Sequence, residues 1–126
     1  MYLYKYIFNG EVFMKLLVVG SRSITEFDLS PYISNNVDTI IRGGAIGIDA
    51  LAEQYADFHH LSKYIIRPRY DLYGRAAPLF RNEQMVDIAD AVLIVWDGSS
   101  NGTKHTLQYV KKTNKPVTVV QLHSFL

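Results

Sequence analysis

Residues 42–49 read RGGAIGID and join a short apolar strand, Thr39–Ile41, to an amphipathic helix. After the glycines, four apolar residues follow the i, i+3, i+4, i+7 spacing of one helical face: Ile48, Leu51, Ala52 and Tyr55. Glycines at such a turn let backbone N–H groups approach a ligand, and the helix start adds partial positive charge. The segment therefore predicts an anion site that fits phosphate best. The alternative is a tight turn without a ligand.

The composition is that of one globular domain. The chain has 126 residues, a net charge of +1 and no cysteine. Without cysteine there are no disulfides or zinc–thiolate sites, and the four histidines lack metal-ligand spacing, so we predict neither a metal nor a cofactor. No apolar run approaches the ~18 residues of a membrane span, and no signal-peptide pattern is visible. We expect a cytoplasmic protein.

Apolar strands alternate with helices along the chain. The predicted strands are Lys15–Gly20, Thr39–Ile41, Lys63–Arg67, Ala91–Trp96 and Val117–Gln121. The predicted helices are Phe27–Asn36, Gly47–His59, one that begins near Pro78, and Thr103–Thr113, with residues 68–77 irregular. The alternation predicts an α/β fold, a Rossmann-like, doubly wound parallel sheet of five strands with helices on both faces. We predict the strand order 3-2-1-4-5, with the ligand at the switch point between the first and fourth strands.

Residues 1–13 stand apart from the predicted single domain at 14–126. Aromatic residues alternate along this arm, and Asn9-Gly10 favours a type I′ hairpin turn. The arm is predicted to form an edge hairpin or a dimer contact. The alternative is that the protein truly starts at Met14 rather than Met1, which would make the arm a mere extension.

Four segments fall at the carboxyl ends of predicted strands or in the first turns of helices, and we predict that they bind the phosphates of one ligand. They are Gly20-Ser21-Arg22, the turn with Gly43, Gly44, Gly47 and Asp49, the pair Arg81-Asn82, and the loop with Gly98, Gly102 and Thr103. Hydroxyl, guanidinium and helix N-terminal groups all suit an anion. All six arginines also lie between residues 22 and 81. Arginine matches phosphate oxygens better than lysine does.

Each segment also has a structural interpretation, which stays open. For Arg81 the alternative is a surface ion pair with Glu83 or Asp87. Ser21-Arg22 can be a solvated turn, and Asp49 can complement the helix dipole. Asp97-Gly98 can be an ordinary turn, and Thr103 can be a helix cap. Tyr70 and Tyr73 lie in the irregular stretch and can stack on a base. The alternative, which is commoner, is that they are simply exposed loop residues.

The motifs follow one another as in a known superfamily. They are GSR after the first strand, RGGAIGIDALA after the second, RNEQMVDIADAVLIVWDG through the third helix and fourth strand, and SNGT before the last helix. Over residues 15–121 the chain resembles the SLOG superfamily, Rossmann-like proteins named for the DNA-processing protein DprA/Smf and the LOG enzymes. It most resembles the small, stand-alone YspA/YpsA-related branch. The resemblance implies a nucleotide or nucleotide-derived ligand with its phosphate on the glycine turns, and it favours a homodimer.

The last loop departs from the LOG pattern. In LOG-type phosphoribohydrolases the last loop has the pattern PGGxGTxxE. The resemblance assigns catalysis to that Glu and to an upstream Arg. This chain reads DGSSNGTKHT, so Thr106 occupies the Glu position, whereas Arg81 is retained. Cleaving an N-glycosidic bond usually needs a carboxylate. Asp49 or Asp97 are the candidates to replace it, and whether the protein is an enzyme stays open.

Three functions follow from these observations. The leading hypothesis is the binding or sensing of a nucleotide or nucleotide-derived ligand. The second is an N-glycosidase or phosphoribohydrolase that acts on a nucleoside monophosphate or NAD-like molecule through Asp49 or Asp97 with Arg81. DNA binding in the manner of DprA ranks last, because the net charge is near zero and no basic stripe with interleaved aromatics stands out. We therefore expect a small-molecule partner, no membrane and no nucleic acid.

Overall fold

The computed structural model describes residues 6–8, 11–44 and 46–122. The strands are β1 Tyr6–Phe8, β2 Glu11–Gly20, β3 Val37–Arg42, β4 Ser62–Ile65, β5 Ala91–Trp96 and β6 Val117–Gln121. The helices are α1 Ile48–Phe58, α2 Tyr70–Tyr73, α3 Ala77–Ile88 and α4 Asn101–Thr113, with 3-10 turns at Ser30–Tyr32 and Gly74–Ala76. None of the helices formed by these residues is long and apolar enough to cross a bilayer.

Five strands form a parallel sheet in the order β4-β3-β2-β5-β6. These are the five strands predicted from the sequence, so the predicted order 3-2-1-4-5 and the Rossmann-like class are confirmed. Gly20 at the end of β2 lies opposite Val95 near the end of β5. From this central pair the chain continues in opposite directions across the sheet. The switch point thus lies beyond the carboxyl ends of β2 and β5.

The short strand β1 pairs antiparallel with the start of β2. Tyr6 lies opposite Phe13, and Phe8 lies opposite Glu11. The predicted turn residues Asn9 and Gly10, and the arm residues 1–5, lie outside the described residues. The division into an arm at 1–13 and a domain at 14–126 stays a prediction.

Burial on both faces of the sheet explains why its central strands are continuously apolar. Along β2, Leu16 and Val18 belong to one core, whereas Leu17 and Val19 belong to the other. The first core is covered by α1 and by residues 21–36, and the second by α3 and α4. Both faces of the central strands are therefore covered, whereas the edge strands β4 and β6 are largely exposed. The carboxyl edge of the central strands is left to form a site.

The predicted helix Phe27–Asn36 is wrong, since only the 3-10 turn Ser30–Tyr32 forms there. Asp28 Oδ1 accepts hydrogen bonds from Ser30 N at 3.0 Å and from Ser30 Oγ at 2.6 Å, and such local bonds compete with a helix. Pro31 also lacks the N–H that a helix interior uses. The segment still covers the sheet, because Leu29 and Ile33 are buried, as is Ile24 just before it.

Residues 68–77 are more regular than predicted. They contain α2 and the 3-10 turn Gly74–Ala76, which leads directly into α3. β4 ends at Ile65 rather than Arg67, so Arg67 and Pro68 lie in the connection at the carboxyl edge. Pro78 falls in the first turn of α3, where its missing N–H costs no helical hydrogen bond.

Candidate functional site

A cavity of about 630 Å³ lies at the carboxyl edge of the sheet, beside the switch point. All four predicted segments reach it. The predicted ligand-binding residues that line it are Gly20, Arg22, Gly43, Gly44, Asp49, Arg81, Asn82, Gly102 and Thr103, and Thr106 joins them. Three other predicted ligand-binding residues, Ser21, Gly47 and Gly98, do not line it, and neither does the catalytic candidate Asp97. The structure thus brings together most of the predicted residues and gives the remaining ones other surroundings.

Ser21 organises the loops around the cavity from within the protein. The residue is fully buried, and its Oγ accepts a hydrogen bond from Asp97 N at 2.9 Å. Its carbonyl accepts from Ile48 N, the first residue of α1, at 3.4 Å. The Ser21 hydroxyl thus lies inside the protein rather than at the cavity, and it holds the loop after β5 against the loop after β2.

Gly47 serves backbone packing rather than ligand contact. Its φ is 73°, and a Cβ there would lie 2.5 Å from Ser21 O and 2.6 Å from Arg22 Cα. The neighbouring Gly44 also has a positive φ of 89°, but a Cβ there would meet nothing closer than Ile65 Cγ2 at 3.6 Å. Gly44 therefore keeps its backbone open to the cavity, whereas Gly47 lets the turn press against residues 21–22.

Arg81 joins α3 to the two loops beside the cavity. Its Nη1 donates to the carbonyl of Gly43 and, at 3.3 Å, to that of Ile66, while Nε donates to Asn82 Oδ1 at 2.9 Å. Burial lowers the pKa of Arg81, and the charge of Asp49 opposes that shift. Arginine stays protonated despite such a shift. The cation is therefore fixed in position at the cavity wall.

The predicted surface ion pairs of Arg81 are replaced by other contacts. Glu83 Oε2 lies 3.0 Å from His105 Nε2, which joins α3 to α4. Asp87 Oδ1 accepts a hydrogen bond from Tyr109 OH at 2.8 Å. Both acidic groups thus have partners on α4, so Arg81 is directed towards the cavity side of α3 instead.

The two candidate catalytic carboxylates lie in different surroundings. Asp49 is buried in the first turn of α1 and lines the cavity, where its Oδ2 would be 3.2 Å from a Cβ placed on Gly43. Asp97 lies outside the cavity. Hydrogen bonds, first from Ser99 N and then from Ser23 Oγ, hold the pKa of Asp97 well below its usual range. Asp97 is thus a loop-forming acceptor, and Asp49 is the carboxylate that the structure places at the site.

The loop after β5 leads into α4 without a carboxylate at the LOG position. Thr106 is buried and its Oγ1 donates to Gly102 O at 3.1 Å. Thr103 Oγ1 lies 3.2 Å from Ser100 Oγ, and Ser100 rather than Thr103 precedes the helix as its N-cap residue. Gly98, with φ 89°, lies beside Gln121 on β6 rather than at the cavity. The start of α4 therefore offers hydroxyl and backbone groups.

Three of the six arginines line the cavity: Arg22, Arg67 and Arg81. Arg42, by contrast, is buried and paired with Glu53, and Arg69 is paired with Asp71 at 2.8 Å. Arg67 is a site residue that the sequence reasoning did not assign, although it falls directly after a predicted strand. Tyr70 also lines the cavity. Among the residues the structure describes, no cluster of His, Asp or Glu is arranged to hold a metal ion.

Solved structures with the same fold come from DNA-processing proteins. DNA processing protein A from Helicobacter pylori, which binds single-stranded DNA, has a TM-score of 0.64 and 20% identity, covering 84% of this chain and 64% of its own. DprA from Streptococcus pneumoniae has a TM-score of 0.68 and 18% identity, covering 90% of this chain and 52% of its own. This chain shares their fold. That likeness agrees with the resemblance to DprA/Smf in the sequence motifs.

One similar protein of known sequence comes from a prophage. The uncharacterized SPbeta prophage-derived protein YoqJ of Bacillus subtilis (strain 168) is 32% identical over 74 residues, which make up 58% of this chain and 43% of YoqJ. The chain therefore spans less than half the length of that relative. No family model matches the chain.

The expectation that nucleic acid is not a partner is wrong. It rested on a net charge of +1, yet a protein with this fold binds single-stranded DNA. The physical reason is that a summed charge hides local clusters. Arg22, Arg67 and Arg81 line one cavity with a single carboxylate, Asp49, so the cavity carries an excess of positive charge although the whole chain is nearly neutral.

Proposed function

We propose that this domain binds single-stranded nucleic acid by holding phosphate groups of the strand in the cavity. The observation that carries the proposal is the convergence of Arg22, Arg67 and Arg81 on one cavity at the sheet's carboxyl edge. Guanidinium groups bind phosphate oxygens through paired, charge-assisted hydrogen bonds. Phosphate contacts of this kind supply most of the affinity for nucleic acid.

The backbone around the cavity supports the same proposal. Gly43 and Gly44 line it without side chains, so their peptide groups are within reach of a phosphate. On the opposite side, Gly102 and Thr103 bring the first turn of α4 to the cavity. A helix N-terminus carries partial positive charge and unpaired N–H groups. Backbone N–H groups of the glycine turn and of the N-terminus of α4 thus add to the three arginine side chains as hydrogen-bond donors.

The fold supports the proposal from an independent direction, since it is shared with DprA from Helicobacter pylori, which binds single-stranded DNA. We also propose that the chain belongs to the SLOG superfamily and to its YspA/YpsA-related branch, on the motifs described above. Because the chain spans only part of each relative, the activity of the whole protein belongs to the proposal too. Homodimer formation and a cytoplasmic location stay predictions.

Binding of a nucleotide or nucleotide-derived molecule is the second candidate. The volume of about 630 Å³ favours it, because small-molecule sites typically measure ~300–1,000 Å³. A thermal-shift screen with AMP, NAD and ADP-ribose tests this candidate, since a ligand at about 100 times its Kd stabilises by roughly 2.7 kcal/mol. Chromatography of the same mixtures tests the enzyme hypothesis. Release of free base that Asp49→Asn abolishes would establish an N-glycosidase.

The decisive experiment for the main proposal is a salt titration. Fluorescence anisotropy of a labelled oligothymidylate of about 15 nucleotides gives the affinity at several salt concentrations. We expect the logarithm of the affinity to fall linearly with the logarithm of salt, and the slope to become shallower by about 0.7 in Arg22→Gln and in Arg67→Gln. Lys111→Gln is the matched control, because Lys111 is exposed in the last turn of α4. Equal slopes in all four proteins would reject the proposal.

A further inference from the structure

An exposed aromatic surface lies next to the cavity. It consists of Tyr70 and Tyr73 on α2 and Phe80 on α3, which are 61%, 44% and 45% exposed. The rings of Tyr73 and Phe80 lie against each other, with centroids 4.5 Å apart and planes tilted by 31°. Large apolar side chains gathered on a surface in this way usually mark a place of binding. The aromatic surface is therefore a candidate binding surface.

The aromatic surface is continuous with the cavity. Tyr70 and Leu79 line the cavity together with Arg67, while the other two rings extend from that rim across α2 and α3. A strand whose phosphate is bound at Arg67 would thus pass its neighbouring nucleotides over the three rings. Stacking on aromatic side chains tolerates any base, because every base has a π-face.

The charge near the aromatic surface favours an anionic ligand. Residues 62–82 contain five cationic side chains and one acidic side chain: Lys63, Arg67, Arg69, Arg75 and Arg81 against Asp71. Lys63 is paired with Glu53 and Asp57, and Arg69 is paired with Asp71. The remaining cations of the segment are Arg67, Arg75 and Arg81, of which Arg67 and Arg81 line the cavity. Aromatic rings interleaved with arginines complement a polyanion that carries flat apolar groups.

We propose that the aromatic surface stacks the unpaired bases of the strand whose phosphate occupies the cavity, and that it thereby selects single strands over duplexes. The inference rests on the proposed function, because the cavity supplies the phosphate anchor. In a duplex the bases are already stacked and paired, so their faces are not accessible to Tyr70 or Phe80 without unpairing. A single strand offers both the phosphate and the bases at once.

The test separates bases from phosphates. Wild-type protein is titrated with labelled oligothymidylate, with an abasic oligonucleotide of the same length and with a duplex. The variants are Tyr70→Leu and Phe80→Leu, which keep apolar bulk but remove the π-face, and Phe58→Ala is the control because Phe58 is 80% exposed on α1. Thermal unfolding confirms that each variant is folded.

We expect each leucine variant to bind oligothymidylate on the order of tenfold more weakly than wild type and to bind the abasic strand equally well. Phe58→Ala should match wild type on both. Equal affinity of the wild type for the two single strands would overturn the stacking inference and leave phosphate binding intact, whereas binding to neither would overturn the proposed function. If the leucine variants bind all strands normally and change only the oligomeric state in ultracentrifugation, the surface is a protein interface and the inference is wrong.

Discussion

The Nη1 atom of Arg81 donates a hydrogen bond to the carbonyl of Gly43, and a Cβ placed on Gly43 would lie 2.9 Å from that nitrogen. The bond crosses the cavity wall from α3 to the turn after β3. It is available only because residue 43 has no side chain, so the glycine turn and the arginine form one unit. The same Cβ would lie 3.2 Å from Asp49 Oδ2.

Gly43→Ala should therefore weaken binding more than it weakens the fold. The end of the Arg81 side chain can move away from the new methyl group, but it then loses its position at the cavity. We expect a loss of affinity for oligothymidylate of about tenfold and a decrease in the free energy of unfolding of about 1 kcal/mol. Gly102→Ala is the stability control, because a Cβ there meets no atom within 4 Å. An unchanged affinity in Gly43→Ala would show that the position of Arg81 does not matter for binding.

Gly47→Ala and Gly44→Ala form a matched pair for the stability of the turn. Both residues have positive φ, but a Cβ on Gly47 meets the backbone of Ser21 and Arg22, whereas one on Gly44 meets only a side chain at 3.6 Å. We expect Gly44→Ala to lower the free energy of unfolding by about 1 kcal/mol, from backbone strain alone. Gly47→Ala should lower it by roughly 3 kcal/mol, since overpacking is added. Urea denaturation measures both, and equal losses would contradict the close approach at residue 47.

The sheet was predictable because its strands are short apolar runs bounded by glycine, proline and polar turns, and one topology suits such an alternation. Arg22 and Gly43 lie just beyond strands and Arg81 lies in the first half of a helix, and these positions predict that the three residues share one edge of the sheet, where they line one cavity. Position along the chain is enough to predict which edge of the sheet a residue occupies.

The orientation of individual side chains was not predictable in this way. Ser21 and Arg22 are neighbours after β2, yet the serine is fully buried and the arginine lines the cavity. The sequence makes Asp97 a catalytic candidate, but in the structure its carboxylate accepts hydrogen bonds from N–H groups of its own loop. The failed helix at residues 27–36 has the same origin, since Asp28 bonds locally to Ser30. Tertiary contacts decide whether a short polar side chain forms its hydrogen bonds with a ligand or with the backbone.

Asp97 should make the stability of the protein depend on pH in the acid range. Its folded pKa lies below the usual value of 3.8, chiefly because of the Ser99 N–H, so between the two values the unfolded chain binds more protons than the folded protein. The contribution of the carboxylate to the free energy of unfolding is therefore present above that usual value and is lost as the pH falls towards the folded pKa. We expect Asp97→Asn to be less stable than wild type at pH 7, and the difference to shrink below about pH 4. A difference that stays constant down to pH 2 would contradict the assignment.

Lys115 should stabilise the end of the helix that carries Arg81. Its Nζ donates to the carbonyls of Val86, Asp87 and Ala89 at 2.6, 2.6 and 2.7 Å, which satisfies acceptors that the end of α3 leaves unpaired. Burial lowers the pKa of Lys115, with the charges of Asp87 and Asp90 opposing the shift.

Lys115→Met keeps the length of the side chain and removes its donors, so we expect the free energy of unfolding to fall by about 2 kcal/mol. Urea denaturation at pH 7 measures the loss, with Lys111→Met on the exposed face of α4 as the control that should change little. The pKa of Lys115 is lower in the folded protein than in the unfolded chain, so at a pH just below 10.5 the unfolded chain binds more protons. The free energy of unfolding of the wild type should therefore rise slightly as the pH increases towards 10.5. That rise should be absent in Lys115→Met. Equal stability of the two methionine variants would show that the carbonyls at the end of α3 are satisfied equally well by water.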